Sequence, residues 1–138
     1  MQYRRFGRTN LNIPVLSLGG MRFQKSWDQL DFSEISYEEQ NKVDNILNLA
    51  NKYGLSHVET AKYYGTSEVQ LGMGFKNTNK IPSIVQTKIP PNSDPKIFEK
   101  DVITSFEKLK VKKIDLLAIH GINTAEHLHQ AVRNEGCI

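Results

Sequence analysis

Short strand-forming runs alternate with longer amphipathic stretches along most of the chain. Runs of four to six residues bounded by turn residues are typical of strands in a sheet covered on both faces. Four such runs occur, at residues 15–18, 57–61, 84–89 and 114–119. Before them, alternating residues on either side of a turn at 7–10 predict a short β-hairpin. Residues 21–35 show no period, and we expect a loop there.

Helical patterns follow the four predicted strands, and each begins at a capping signal. Capping boxes lie at 36–39 and 67–70, an Asp-Pro pair at 94–95, and an Asn-Thr pair at 123–124. Gly54 has the place of a left-handed residue that ends the first helix. Apolar residues recur every three or four positions in three of these helices: Val43, Ile46, Leu47 and Ala50; Phe98, Val102, Phe106 and Leu109; Leu128, Ala131 and Val132.

The alternation of strands and helices predicts an α/β fold with a parallel sheet covered by helices. A (β/α)8 TIM barrel takes about 250 residues, so four strand–helix units in 138 residues amount to about half of one barrel. We therefore expect a single incomplete domain over residues 1–138, with the hairpin in front of the sheet.

Composition excludes several classes of protein. The 18 Lys and Arg residues against 15 Asp and Glu give a net charge of +3, too small to indicate a nucleic-acid partner. The lysine-rich stretch 108–113 has no interleaved aromatic residues, so we interpret it as a solvated loop. The single cysteine, Cys137, excludes an intramolecular disulfide and favours a cytoplasmic location, and no Cys/His spacing predicts a metal site. No apolar run is long enough to predict a membrane partner.

Titratable side chains follow three successive predicted strands at their carboxyl ends. They are Glu59 with Tyr64 in the loop beyond it, Lys88, and His120. Each alone has an ordinary explanation as a solvated or packing residue, but four at one sheet edge indicate a site. A lysine ammonium stabilises a tyrosine phenolate, and a carboxylate keeps that ammonium charged. Such a proton donor for a developing alkoxide lacks only a hydride source, so the set implies a nicotinamide cofactor.

Several motifs, in order along almost the whole chain, resemble those of the aldo-keto reductase family. ETAKYYGTSE at 59–68 is similar to the family signature after the second barrel strand, and VQTK at 85–88 is similar to its lysine strand. The histidine strand and the opening of the fold are matched by SFEKL at 105–109, IDLLAIH at 114–120, RFGRT at 5–9 and LSLGG at 16–20. The resemblance implies the N-terminal half of the barrel.

The resemblance also implies the roles of the four side chains. Tyr64 would be the general acid, Lys88 would stabilise its phenolate, His120 would bind and polarise the carbonyl, and Glu59 would pair with the lysine. The family usually has Asp at the position of Glu59, so this residue departs from the pattern by one methylene. A histidine at position 120 fits reduction of a carbonyl rather than of a steroid double bond.

NADPH is the cofactor that the resemblance implies, with Gly20 and Met21, together with Glu59 and Tyr64, at its nicotinamide end. Most contacts to the rest of the cofactor belong to the second half of the barrel, which this chain lacks. Gly72 and Gly74 form no dinucleotide fingerprint, and we expect them to mark a tight helix–sheet contact.

The expected function is therefore NADPH-dependent reduction of aldehydes or ketones, with activity impaired in a half-barrel. The alternative is a catalytically silent relative that acts in regulation or interaction. A half-barrel also leaves open sheet edges, so we expect self-association through them.

Overall fold

The computed structural model describes all 138 residues, and it confirms the α/β fold. An antiparallel hairpin, β1 (Tyr3–Arg5) and β2 (Asn12–Pro14), precedes a sheet of four parallel strands. These strands are adjacent in chain order: β3 (Leu18–Gly19), β4 (His57–Glu59), β5 (Ile84–Ile89) and β6 (Leu116–Ile119). The helices that follow them are α1 (Tyr37–Lys52), α2 (Ser67–Asn77), α3 (Pro95–Leu109) and α4 (Ala125–Val132).

The strand register brings the carboxyl ends of the strands to one edge of the sheet. Gly19 is paired with Glu59, and Lys88 on β5 is paired with Ala118 on β6. The next residue after β6 is His120. All the predicted site residues therefore belong to the same edge, as parallel pairing requires.

The core lies between the sheet and the first three helices. It consists of Phe23, Val43, Leu47, Val58, Leu71, Phe75, Val85 and Leu109, all buried. Helix α2 has close neighbours on both sides. A Cβ at Gly72 would overlap the carbonyl oxygen of Lys108 in α3, and one at Gly74 would overlap Leu47 Cδ1 in α1. The two glycines thus permit tight helix–helix contacts, whereas we had expected a helix–sheet contact.

The first predicted strand is shorter than its apolar pattern indicates. Only Leu18 and Gly19 pair with β4, while Val15 and Leu16 are more than half exposed. The backbone N–H of Val15 donates to the carbonyl of Gln2 at 2.9 Å, which ties this segment to the hairpin instead of the sheet. The apolar run therefore does not correspond to a strand along its full length.

Residues 21–35 are not a featureless loop. Two 3-10 turns lie there, Gly20–Phe23 and Phe32–Glu34, and the second begins at a capping box between Asp31 and Glu34. Residues 25–29 lie between these turns.

The capping predictions have mixed outcomes. Ser36, Asp94 and Thr124 cap α1, α3 and α4 as expected, but the second capping box is absent. Helix α2 begins at Ser67, whose hydroxyl is within hydrogen-bond distance of Thr60 Oγ1 and donates to the Gly20 carbonyl. That hydroxyl is engaged in tertiary hydrogen bonds, which local spacing does not reveal.

The predicted apolar helix faces are only partly buried. Ile46 in α1 and Leu128 and Val132 in α4 are 40%, 52% and 57% exposed. In α4 only Ala131 is buried, so two of the three predicted apolar positions of that helix are exposed.

Candidate active site at the carboxyl edge of the sheet

Lys88 lies at the centre of the predicted site. Its ammonium forms an ion pair with Glu59 and donates to the carbonyl of Thr60 at 3.1 Å. The same Nζ lies 4.7 Å from the centroid of the Tyr64 ring. One cation therefore contacts the carboxylate, the backbone of the loop and the aromatic ring. The extra methylene of Glu59, relative to Asp, does not prevent the ion pair.

The ion pair between Lys88 and Glu59 is partly buried, and this burial affects the pKa of Lys88. The side chains of Lys88 and Glu59 are 15% and 27% exposed. Burial lowers the pKa of Lys88 from the usual lysine value, because the ammonium loses hydration. The adjacent carboxylate and the Thr60 carbonyl are the groups that favour its charged form.

His120 contacts Tyr64 from the strand next to Lys88. The two rings lie edge to face with centroids 5.6 Å apart, and the His120 Nδ1 atom is buried without a hydrogen-bond partner. Burial, and then the charge of Lys88, lower the pKa of His120. The imidazole is therefore neutral at pH 7 and retains one N–H with which to bind an oxygen.

The loop at residues 60–66, here called the tyrosine loop, holds Tyr64 at the sheet edge. The N–H of Lys62 donates to the Lys88 carbonyl at 3.0 Å, and the N–H of Tyr64 donates to the Ala61 carbonyl at 3.0 Å. Gly65 has φ of +50°, and a Cβ there would overlap the carbonyl of Ser26. Glycine is thus required immediately after the tyrosine.

Gly20 and Met21 lie at the same edge as Glu59. Gly20 is buried, and a Cβ there would lie 3.1 Å from the Glu59 carbonyl oxygen and 2.9 Å from Ser67 Oγ. Met21 is 37% exposed. Gly20 thus lies against the end of β4, and the contact of Gly20 and Met21 with a nicotinamide stays a prediction.

The fit of these residues to NADPH is limited to the reacting end. The unpartnered nitrogen of His120 and the Lys88–Tyr64 contact suit a site of hydride and proton transfer. The ammonium groups of Lys62 and Lys88 are already engaged by Asp101 and Glu59. The groups at this edge therefore suit proton transfer at the reacting end of the cofactor.

A polar groove of about 490 Å³ opens beside His120. Its lining includes Tyr63, Asn123, Glu126 and Gln130, with Pro90 and Pro91 on the β5 side. A substrate bound next to His120 would contact this wall.

Glu68 is a buried carboxyl group that the sequence analysis did not select. It is 2% exposed and accepts a hydrogen bond from Thr87 Oγ1 at 2.7 Å. Burial raises its pKa above the usual glutamate value. Thr87 immediately precedes Lys88, so Glu68 lies behind the strand that presents the lysine. The sequence gives no local signal for this burial, because in the predicted capping box at 67–70 the paired residues are Ser67 and Gln70.

His57 has a structural position away from the candidate site. It is buried at the start of β4, at the opposite end of the strand from Glu59. Its ring nitrogens lie within hydrogen-bond distance of Ser17 Oγ and Gln86 Oε1, at 2.8 and 3.1 Å. Burial lowers its pKa.

No group of three or more His, Cys, Asp or Glu side chains is arranged to hold a metal ion. None of the helices combines the length and the apolar character that crossing a membrane requires.

Comparison with known proteins places the chain in a family. The model of the aldo/keto reductase family matches residues 15–134, so the chain belongs to the aldo-keto reductases. No curated protein matches the sequence.

Solved structures share the fold over most of this chain. A Pseudomonas aeruginosa protein described as an aldo-keto reductase matches 91% of the chain and 50% of its own length, with 23% identity and a TM-score of 0.74. The thermostable aldo-keto reductase Tm1743, solved with the inhibitor epalrestat, matches 96% of the chain and 50% of its own length, with 24% identity and a TM-score of 0.66.

A third structure is described as a 2,5-diketo-D-gluconic acid reductase B. It matches 90% of the chain and 40% of its own length, with 26% identity and a TM-score of 0.65. The chain thus spans about half the length, or less, of the solved structures it matches.

Proposed function

We propose that this chain supplies the catalytic groups of an NADPH-dependent carbonyl reductase that converts aldehydes or ketones into alcohols. The observation that carries the proposal is the position of Lys88, which is ion-paired with Glu59 and contacts the ring of Tyr64. Membership of the aldo-keto reductase family supports an oxidoreductase.

The proposed reaction adds a hydride to the carbonyl carbon and a proton to the carbonyl oxygen. Bound NADPH supplies the hydride. Tyr64 gives its phenolic proton to the oxygen as negative charge develops there, and Lys88 stabilises the phenolate that remains. His120, which is neutral, donates its N–H to the same oxygen and orients the substrate. Glu59 keeps Lys88 charged and directed toward Tyr64.

The binding assignments belong to the same proposal. Gly20 and Met21 would line the nicotinamide end, and the polar groove beside His120 would hold the carbonyl substrate. We also propose a cytoplasmic location, supported by the single cysteine and by NADPH as the expected cofactor. The activity of the chain alone is proposed to be low, because the chain spans about half the length of the solved aldo-keto reductases it matches.

A paired binding and turnover experiment tests this function. NADPH is titrated by its fluorescence, and oxidation of NADPH with a simple aldehyde is followed at 340 nm, for the unmodified chain and for Tyr64→Phe. We expect Tyr64→Phe to lower turnover by about 100-fold or more, the range of general acid catalysis, with the NADPH affinity unchanged. Tyr37→Phe, at a tyrosine that is 85% exposed and begins α1, is the matched control.

The outcomes separate the two expected functions. Full turnover in Tyr64→Phe would remove Tyr64 from the mechanism. Saturable NADPH binding by the unmodified chain with no turnover of any aldehyde would favour the catalytically silent relative. Absence of both binding and turnover would contradict a reductase function for this chain.

A further inference from the structure

The segment of residues 25–29 is attached to the tyrosine loop by its backbone. The N–H of Lys25 donates to Thr66 Oγ1 at 2.6 Å, and the N–H of Thr66 donates to the carbonyl of Ser26 at 3.4 Å. Gly65 lies so close to the Ser26 carbonyl that no side chain could be added there. The two segments are about 40 residues apart in the chain, so these contacts are tertiary.

Gln29 adds a side-chain attachment that spans the two tyrosines. Its Nε2 donates to the carbonyl of Lys62 at 3.0 Å and to the carbonyl of Gly65 at 3.2 Å. Tyr63 and Tyr64 lie between these two acceptors. A single amide therefore holds both ends of the short stretch of backbone that presents Tyr64.

Gln29 is itself held from the other side. Lys108, in the last turn of α3, donates to Gln29 Oε1. Because the amide oxygen accepts from Lys108, the amide nitrogen Nε2 is directed toward the tyrosine loop. Helix α3 reaches the same loop a second time through the ion pair between Asp101 and Lys62.

These attachments matter because no strand of the sheet bonds to the backbone of Tyr64, whose carbonyl accepts from the N–H of Ser67, the first residue of α2, at 2.9 Å. The backbone of Lys62 is bonded to β5, but the N–H of Tyr64 bonds only within the loop, to Ala61. The ring of Tyr64 makes a cation–π contact with Lys88 and an edge-to-face contact with His120. Such contacts restrain the orientation of the ring only weakly. A displacement of a reacting group by about 1 Å can lower the rate of the catalysed reaction about 100-fold, so the position of Tyr64 matters for its proposed role.

We propose that Gln29 is a positioning residue for Tyr64, which acts by holding the carbonyls of Lys62 and Gly65. The proposal rests on the proposed function, since Tyr64 is its general acid. It assigns a role to a side chain that is exposed and lies in a segment with no regular structure. Its action requires the amide donor, not only the link to Lys108.

The first test measures the loop and needs no activity. Amide hydrogen exchange of a peptide covering residues 62–67 is compared among the unmodified chain, Gln29→Ala and Gln29→Glu. Gln29→Glu keeps an oxygen for Lys108 but loses the donor, so we expect both variants to exchange about ten-fold faster at Thr66 and Ser67. Gln2→Ala, at another exposed glutamine, is the matched control.

The strand β5 serves as the internal reference. Its amides should exchange at the same rate in all variants, which separates loosening of the loop from general destabilisation. Unchanged exchange at 62–67 in both Gln29 variants would overturn the proposal. Loosening in Gln29→Ala alone would also overturn it, because the link to Lys108 would then be sufficient.

The second test uses turnover. Under the proposed function, both Gln29 variants should lower kcat for the aldehyde by about 10- to 100-fold with little change in KM for NADPH. Loosening of the loop with unchanged kcat would overturn the positioning role. If the unmodified chain has no turnover, the proposed function fails, while hydrogen exchange still decides whether Gln29 holds the loop.

Discussion

Substitution of Gly72 by alanine tests the close backbone contact between α2 and α3. Helix α3 carries Asp101 and Lys108, which bind Lys62 and Gln29. Gly72 lies in α2, and a Cβ there would overlap the carbonyl oxygen of Lys108. The carbonyl carbon and the Cα of Leu109 would lie at only 2.8 and 3.0 Å, whereas ordinary contact begins at 3.4 Å. These obstacles are all backbone atoms of α3, so they cannot be relieved by rotation of a side chain.

The expected magnitude is the balance of two opposite effects. Alanine in a helix gains about 0.5–1 kcal/mol over glycine from helix propensity. Separation of two packed helices costs about 1–3 kcal/mol, and Leu109 next to the contact is fully buried in the core. We expect a net loss of about 1–2 kcal/mol in the free energy of unfolding, or a fall of several degrees in Tm.

Gly74→Ala is the matched control because it gives the same propensity gain in the same helix. There the obstacle is the end of the Leu47 side chain, which can adjust. Urea unfolding followed by circular dichroism should show Gly72→Ala as clearly less stable than Gly74→Ala. Equal stability of the two variants would refute the reasoning that the α2–α3 backbone contact is rigid.

Two further predictions concern pH and assembly. Burial raises the pKa of Glu68 above 4.5, so the folded chain keeps a proton there that the unfolded chain has released. Stability should fall as pH rises from about 4.5 through the raised value, and Glu68→Gln should flatten this dependence in urea unfolding; an unchanged profile would contradict it. For assembly, we propose self-association through the free edge of β6, where Leu117 is 45% exposed. Sedimentation should detect species above 15.8 kDa that Leu117→Lys reduces, and a monomer at every concentration would contradict it.

Most of the fold could be predicted because its signals are local. The β5 strand and the capped helices α1 and α3 follow from residue patterns that occur within each element. The Val15–Leu18 run was misleading because strand pairing depends on a partner, and only its last residue is in register with β4. The 3-10 turns in 21–35 give no apolar period to detect.

The proximity of Glu59, Lys88 and His120 could be predicted from the topology of the sheet. Strands that run parallel present their carboxyl ends together, so residues after β4, β5 and β6 must be neighbours. Gln29 and Glu68 could not be found in this way. The partners of Gln29 lie 33, 36 and 79 residues away, and burial of Glu68 depends on how α2 packs against β5.

The charge on Lys88 links the ion pair with Glu59 to the pKa of His120. Burial lowers the pKa of Lys88, whereas the adjacent carboxylate of Glu59 and the carbonyl of Thr60 favour its charged form. That charge in turn helps to lower the pKa of His120 and keeps its imidazole neutral. Glu59 therefore acts on two residues, directly on Lys88 and through it on His120. A carboxylate one methylene longer than the usual Asp suffices for both effects, because the ion pair still forms at the sheet edge.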